Sequence, residues 1–171
     1  MGFLYFPISI VVNLYNIPTH PESPDIVNAV VEITKGTNTK YEYDHTLGAF
    51  RLDRCLHSAM VYPANYGFIP NTLASDGDPL DILIYTRVPI ERGTVVECNV
   101  LGMLDMRDDG CKDYKVIGLP TFTSSEITDL CDVKERFLEV TLDFFENYKK
   151  LSGGSVEIHG WYDKKDTMDI I

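Results

Sequence analysis

The sequence predicts an α+β fold whose core is a small closed or partly closed β-barrel. Short segments that resemble β-strands, separated by turn residues, occupy most of the first two thirds of the 171 residues. Helical patterns occur only late in the chain, and one last strand pattern follows them. Strands followed by helices are typical of α+β proteins, and many short strands with turns between them favour a barrel.

The predicted strands rest on alternation of apolar and polar residues, or on apolar runs bounded by turn residues. In the segment 39–43, for example, Lys40 and Glu42 fall on one face and Tyr41 and Tyr43 on the other. The segments 16–25 and 58–70 contain three and two prolines, respectively, and predict irregular connections. The strands predicted in this way are 29–33, 39–43, 50–54, 82–85, 94–103, 115–119 and 156–162.

Two short motifs and one apolar stripe predict the helices. Thr123 followed by Glu126, and Asp132 followed by Glu135, have the spacing of N-terminal capping boxes. An apolar stripe at helical spacing comes next, and the glycine pair 153–154 is expected to end that helix. The stripe consists of Phe137, Val140, Phe144 and Tyr148.

Length and charge limit the classes of protein that need to be considered. A chain of 171 residues predicts a single domain, 1–171, with a proper core. Its formal net charge of -11 disfavours binding to nucleic acid or to an anionic membrane. The same field would repel an anionic substrate unless bound cations reversed its sign locally.

The cysteines and the N-terminal segment indicate in which cellular compartment the protein is expected. The cysteines lie far apart without a zinc-binding spacing, which indicates free thiols in a reducing compartment, so we expect a cytoplasmic protein. The apolar start, 1–14, is too short for a membrane span and lacks the charged front of a signal peptide. It is interpreted as a strand, an arm on a partner subunit or an over-long start, with 1–12 as the candidate arm.

The segment 76–81 is the strongest candidate for a functional site. Asp76, Asp78 and Asp81 place three carboxylates within six residues, directly before an apolar run. Because adjacent carboxylates repel, such a group favours bound cations. Gly77 permits an unusual backbone angle and Pro79 fixes its own φ, so the oxygens would be held rigidly. A plain turn between two strands is the alternative interpretation.

A second acidic cluster borders another predicted strand. Asp105, Asp108, Asp109 and Asp113 could form a solvated acidic loop. Alternatively, two acidic loops at strand ends of one barrel could meet and bind more than one ion. Two metal ions a few ångströms apart can polarise a phosphoryl group and activate water.

Several cations are predicted at or near apolar faces and not on solvated ones. Arg54 shares a strand face with Phe50 and Leu52, and Lys149 lies four residues after Phe145 on the helical stripe. Singly, each could be a side chain that covers apolar surface while its charge reaches water. Together they could bind a compact, highly charged oxyanion. The group comprises Lys40, Arg54, Lys115 and Lys149, with Tyr66 and Tyr148 as further donors.

Other kinds of site fit the sequence less well. The segment 76–81 is not an EF-hand, and no phosphate-binding loop, dinucleotide fingerprint or nucleophile elbow occurs. The four histidines show no ligand spacing. Besides a hydrolase, two classes stay open: a barrel that binds nucleic acid or sugars through its aromatic surface, and a Ca²⁺-binding structural domain.

The order and spacing of these residues resemble the soluble, Mg-dependent inorganic pyrophosphatases of family I, in their compact prokaryotic type. The resemblance covers about residues 30–162, and its most specific motif is D-G-D-P-x-D at 76–81. Asp109 stands where that family often has Glu, and the residues before about Val12 have no clear counterpart. The other matching positions are Glu32, 40–42, Asp53, Arg54, 62–67, 108–115, Tyr148 and Lys149.

The resemblance implies a five-stranded OB-like β-barrel with flanking α-helices, and hydrolysis of pyrophosphate to two orthophosphates. It also implies a homohexamer and several Mg²⁺ ions per site, with Mn²⁺ as an alternative because both ions favour carboxylate oxygen. Asp78 would be the general base for a metal-activated water. One Mg²⁺ would be held by Asp76, Asp81 and Asp113, and Asp81 would also hold a second.

The remaining implied roles concern further ions and the substrate. Asp108 and Asp113 would hold a substrate-borne ion, Glu42 a further ion, and Glu32 would bind an ion through water. The residues implied to bind substrate oxygens are Lys40, Arg54, Tyr66, Lys115, Tyr148 and Lys149.

Overall fold

The structure is a computed structural model that describes residues 13–123 and 126–171. The candidate arm, 1–12, lies outside the described residues. The strands are β1 (Ile26–Ile33), β2 (Thr39–Asp44), β3 (Ala49–Cys55), β4 (Asn65–Phe68), β5 (Asp81–Ile84), β6 (Val95–Asp108), β7 (Cys111–Lys112), β8 (Lys115–Pro120) and β9 (Val156–Asp163). The helices are α1 (Glu135–Asn147) and α2 (Lys164–Met168), with short 3-10 helices at Leu14–Asn16, Leu130–Asp132 and Lys150–Ser152.

Seven strands form one mixed sheet, which agrees with the predicted α+β class. β1 pairs with β4, β4 with β5, β5 with β8 and β8 with β6, and β6 pairs in turn with β1. The β5–β8 pair is parallel, whereas the others are antiparallel. β6, with 14 residues, is long enough to pair with β7 and β9 as well.

β2 and β3 form a separate two-stranded ribbon, and Asp53 is an extra residue in its pairing. Within the described part of the chain, no strand ladder joins this ribbon to the large sheet. Side chains make the connection instead. The Tyr43 N–H donates to Glu32 Oε1 at 2.7 Å, and the Arg92 guanidinium lies 3.1 Å above the centre of the Tyr41 ring.

The large sheet is buried on both faces, as the apolar run in β5 illustrates. Ile82 and Ile84 pack with one buried cluster, whereas Leu83 packs with another that includes Phe144 and Phe145 of α1. Parallel pairing in the middle of a sheet normally requires both faces to be covered. The described residues contain no helix that is both long and apolar enough to cross a membrane.

The structure confirms the seven predicted strands with shifted ends, but it corrects three details of the strand region. β4 lies within 58–70, where the sequence predicts only a connection. β6 continues to Asp108, so Asp105 belongs to a strand and not to an acidic loop. The extra residue Asp53 breaks the alternation in β3, and Leu52 is 56% exposed, so Arg54 does not lie on an apolar face.

The helix predictions need correction at the starts. α1 has Lys134 at its N-cap and no side-chain cap, whereas Asp132 forms a capping box with Asp129 in the preceding 3-10 helix. Glu126 lies outside any helix in the described residues, so no helix begins there. In the predicted stripe, Phe144 and Tyr148 are buried, but Val140 is 37% exposed and Thr141 occupies the core-facing position.

Candidate active site

A cavity of about 820 Å³ is lined by the β2–β3 ribbon, by the loop before β5, by the β6–β8 connection and by the end of α1. Twelve of the thirteen predicted site residues line it. They are Glu32, Lys40, Glu42, Tyr66, Asp76, Asp78, Asp81, Asp108, Asp113, Lys115, Tyr148 and Lys149. Arg54 does not line the cavity directly, but its Nη1 donates to Asp53 Oδ2 at 2.8 Å, and Asp53 does line it.

The cavity lining is strongly acidic. Ten carboxylates face it against five Lys or Arg side chains. Carboxylates at such density raise one another's pKa values or require cations between them. The lining therefore attracts cations, and an anionic ligand could enter only with charge compensation.

Lys115 is the buried centre of one group of charges. Its Nζ lies 2.5 Å from Asp81 Oδ2 and 2.5 Å from Asp113 Oδ1, and it donates to the Tyr66 hydroxyl at 3.1 Å. The parallel pairing of β5 with β8 produces this arrangement, because Asp81 and Lys115 are register partners at the first residues of their strands.

The pKa values in this group follow from one ammonium shared by two carboxylates. Burial by itself lowers the pKa of Lys115, but Asp81 and Asp113 more than offset it, so the ammonium stays charged. Burial raises the pKa of Asp113 to about 6, despite the opposing effect of Lys115, and the Asp81 charge adds to the increase. Because one ammonium faces two carboxylates, the group of Lys115, Asp81 and Asp113 has a net negative charge when both carboxylates are ionised.

Lys149 is the centre of a second group at the end of α1. Its ammonium pairs with Asp108, and its Nζ also lies 3.3 Å from Asp109 Oδ2. The Tyr148 hydroxyl donates to Asp108 Oδ2 at 2.9 Å. Burial and then the Asp108 charge raise the pKa of Tyr148, so its hydroxyl stays protonated.

The loop before β5 presents Asp76 and Asp78. Gly77 has φ 95°, a left-handed conformation that confirms the expected role of glycine at this position. The Asp78 N–H donates to Asp76 Oδ1 at 3.1 Å. Partial burial and then the Asp76 and Glu42 charges raise the pKa of Asp78, which makes this carboxylate a better proton acceptor than an isolated aspartate.

Glu32 projects from an irregularity in β1. It is the extra residue between Val31 and Ile33 in the pairing with β4, and bulges of this kind commonly redirect side chains near active sites. Glu32 is 8% exposed as a residue, and its carboxylate accepts the Tyr43 N–H. Burial raises the pKa of Glu32 to about 8, although this hydrogen bond opposes the shift.

The ribbon contributes further charged groups. Lys40 Nζ lies 2.6 Å from Glu42 Oε1 and 3.7 Å from Asp53 Oδ2. This confirms that Lys40 and Glu42 share one face of their strand.

Several residues that line the cavity were not predicted as site residues from the sequence. Tyr15, His45, Arg51 and Lys112 also line the cavity. His45 lies in the turn of the ribbon, Arg51 lies in β3 shortly after that turn, and Lys112 lies in the two-residue strand β7. The geometry of these turns would have been needed to find them. Tyr15 precedes the large sheet by eleven residues, and we find no sequence pattern that indicates its position.

The chemistry of the lining fits a hard divalent cation. The acidic donors are carboxylates, which Mg²⁺ and Mn²⁺ prefer. Among the described residues, however, no three His, Cys, Asp or Glu side chains are grouped closely enough to hold a metal ion as they stand. Instead, lysine ammonium groups lie between the carboxylates of Asp81 and Asp113 and beside Asp108. These carboxylates are thus already arranged around positive charge.

Comparison with known proteins gives one consistent family. Residues 29–171 match the family described as inorganic pyrophosphatase. A protein named inorganic pyrophosphatase from Thermus thermophilus is 43% identical over 162 residues, which cover 92% of this chain and 93% of the relative. One from Geobacillus stearothermophilus is 46% identical over 138 residues, covering 80% and 84%.

Solved structures agree with the sequence comparison. The crystal structure of the inorganic pyrophosphatase from Thermus thermophilus has a TM-score of 0.90 at 42% identity, covering 94% of this chain and 95% of that one. The inorganic pyrophosphatase of Helicobacter pylori has a TM-score of 0.85 at 38% identity, covering 91% and 94%. This chain is therefore similar to these enzymes over nearly its whole length.

Proposed function

The chain belongs to the inorganic pyrophosphatase family, and from that premise we propose that it hydrolyses inorganic pyrophosphate to two orthophosphates. The observation that supports this most strongly is the composition of the cavity. Buried Lys115 and the Lys149–Tyr148 pair lie in it among ten carboxylates. Such a site can bind a phosphoanhydride only if cations accompany it. A nucleic-acid-binding barrel would need the opposite charge.

Mg²⁺ is the proposed cofactor, with Mn²⁺ as a substitute. We assign one ion to Asp76, Asp81 and Asp113, with Asp81 shared with a second ion. When bound, Mg²⁺ would polarise phosphoryl oxygens and lower the pKa of a coordinated water. The leftover negative charge around Lys115 and the oxygen donors of the lining support this assignment. The other proposed contacts are those of Asp108, Asp113, Glu42 and, through water, Glu32.

Asp78 is the proposed general base. It lies in the loop between two proposed metal ligands, and its pKa is raised by partial burial and by neighbouring carboxylates. A carboxylate with a raised pKa holds a proton more readily after it has accepted it from the attacking water.

The proposed substrate-binding groups neutralise charge on the two phosphates. Lys115 and Tyr66 lie together at the base of the cavity, and Lys149 and Tyr148 lie together at the end of α1. Charge that develops on the leaving phosphate would be stabilised by fixed donors of this kind. Lys40 and Arg54 complete the proposed set from the ribbon.

The organisation of the molecule can be assigned in the same way. We assign the whole chain, 1–171, to a single pyrophosphatase domain in the cytoplasm, and β1, β4, β5, β8 and β6 to an OB-like barrel. The barrel is supported by the pairing of β6 with both β8 and β1, which returns the series of pairings to its first strand. By family analogy, we also propose assembly into a homo-oligomer, a hexamer.

The test is release of orthophosphate from pyrophosphate by the purified, folded protein. The proposal predicts release in Mg²⁺, slower or comparable release in Mn²⁺, and none with excess EDTA. A folded sample that releases no phosphate in either metal would contradict it. Calcium-induced stabilisation without turnover in Mg²⁺ would instead favour a calcium-binding structural domain.

A further inference from the structure

The segment 13–17, which precedes the large sheet, lies against the β2–β3 ribbon. The Tyr15 hydroxyl donates to the Tyr43 carbonyl at 3.3 Å, and the Leu14 N–H donates to the Tyr43 hydroxyl at 3.1 Å. The segment is also tied to the loop after β4, because the Asn71 N–H donates to the Tyr15 carbonyl at 2.9 Å. It therefore touches the ribbon on one side and the loop that follows β4 on the other.

The ring of Tyr15 is the centre of an aromatic group that joins the β2–β3 ribbon to the large sheet. Its centroid lies 5.0 Å from that of Phe68 in β4, 5.4 Å from that of Tyr43 in the ribbon and 5.5 Å from that of His45 in the ribbon turn. Tyr15 meets the Tyr43 and Phe68 rings edge to face, an arrangement that is attractive at these distances, whereas the His45 ring is tilted. Phe68 and Tyr43 are almost fully buried in this group, so the contact is a packed one.

Tyr43 is the point at which the ribbon meets Glu32. Its backbone N–H holds the Glu32 carboxylate at 2.7 Å, while Glu42, next to it in β2, faces the cavity. No strand ladder joins the ribbon to the sheet within the described ranges, so contacts of this kind determine how the two are oriented. A shift of Tyr43 would move Glu32 and Glu42 together.

Tyr15 also faces the cavity itself. It belongs to the lining, and after burial the charge of Asp78 makes the largest contribution to the increase in its pKa, followed by Glu32 and Glu42. Its hydroxyl therefore stays protonated as a donor. Tyr15 thus lies close to the acidic side of the cavity while it contacts the ribbon that carries Lys40.

We propose that Tyr15 is a positioning residue for the reaction, which holds the ribbon against the large sheet and so fixes Lys40, Glu42 and Glu32 relative to the aspartates of the cavity. This inference rests on the proposed function, because only a reaction in this cavity would make use of that alignment. Tyr15 acts through Tyr43 and contacts no reacting atom.

The test combines kinetics with local backbone exchange. Tyr15→Leu removes the ring and the hydroxyl but keeps an apolar side chain. We expect it to raise KM for Mg-pyrophosphate by roughly tenfold while kcat changes less, since small misplacements of binding groups can cost up to about a hundredfold. Hydrogen–deuterium exchange, followed by mass spectrometry without metal, should be roughly tenfold faster in peptides from 39–55 and unchanged in β5.

Tyr162→Leu is the matched control, because Tyr162 is a partly exposed tyrosine on β9 that does not line the cavity. It should leave both measurements at their original values. Tyr15→Phe lacks only the hydrogen bond to the Tyr43 carbonyl, so KM and the exchange rate of the ribbon should change in the same direction by a smaller factor. This variant replaces Tyr15→Leu in the test if Tyr15→Leu does not fold.

Two results would overturn the inference. The first is a folded Tyr15 variant with unchanged KM and unchanged exchange in the ribbon. The second is faster exchange spread equally over ribbon and sheet, which would mean general destabilisation. If the unmodified protein does not hydrolyse pyrophosphate, the proposed function fails, whereas the exchange experiment still tests whether Tyr15 holds the ribbon.

Discussion

Asp78 is the residue on which the proposed chemistry depends most. Its carboxylate has no Lys or Arg within ion-pairing distance in the described structure, unlike those of Asp81, Asp108 and Asp113. It is therefore available to accept a proton, and its raised pKa favours that role.

Asp78→Asn should lower kcat by about 10²–10⁴-fold, the usual contribution of a general base, because the amide cannot accept the proton. Mg²⁺ affinity, measured by calorimetry, should change little, since Asp76 and Asp81 are intact. Asp143→Asn on the exposed side of α1 is the control. A variant with its original kcat would exclude Asp78 as the base.

Glu32 predicts a pH dependence of stability in the metal-free protein. Burial raises its pKa from 4.5 to about 8 on folding, so the folded protein keeps a proton that the unfolded chain has released. Its contribution to stability is full below pH 4.5 and is lost as the pH rises to about 8. Within that window, the free energy of unfolding should fall by up to about 1.4 kcal/mol per pH unit on its account.

Glu32→Gln cannot ionise, and so it should flatten this part of the profile. Denaturant titrations in EDTA between pH 5 and pH 8 would measure the difference, with Glu139→Gln on the surface as control. Parallel profiles for the variant and the unmodified protein would mean that Glu32 does not carry the proton.

At the scale of elements, β4 shows how closely the strands approach one another around the site. A Cβ built on Gly67 would lie 1.9 Å from the Val30 carbonyl oxygen in the neighbouring strand β1. β4 carries Tyr66, which contacts Lys115. The close approach of β1 and β4 therefore brings Glu32 and Tyr66 to the same cavity.

Gly67→Ala should lower the free energy of unfolding by more than about 3 kcal/mol, because backbone and not a flexible side chain must move. Gly36→Ala is the comparison: Gly36 has φ 84° but no atom near its Cβ position, so only backbone strain, about 1–2 kcal/mol, is expected. Chemical denaturation measures both. Equal losses in the two variants would contradict the close approach.

The same strands show what the sequence can predict. β5 was predictable because an Asp-Gly-Asp-Pro turn leads into an apolar run, and the faces of β2 were predictable from strict alternation. β4 was not, since Asn65–Phe68 has no alternation and is buried between β5, the next strand, and β1, which is distant in sequence. Extra residues such as Asp53 also escape prediction, because nothing local marks where a pairing slips.

At the scale of the whole molecule, the site brings together groups from most of the chain. The aspartates of the site could be predicted because they occur in two dense clusters, whereas Glu32 and Glu42 lie outside both clusters and were indicated only by the family resemblance. Tyr15 could not, because its place depends on long-range packing against Tyr43 and Phe68. The formal net charge of -11 could also be read from the sequence, and the cavity is acidic as well. Both indicate that a highly charged anion needs cations in order to bind.

The need for cations can be tested by the binding of methylenediphosphonate, a pyrophosphate analogue that is not hydrolysed, measured by calorimetry with and without Mg²⁺. We predict binding in Mg²⁺ and no measurable binding in EDTA, because only bound cations can reverse the sign of the cavity. Equal affinity under both conditions would contradict the account.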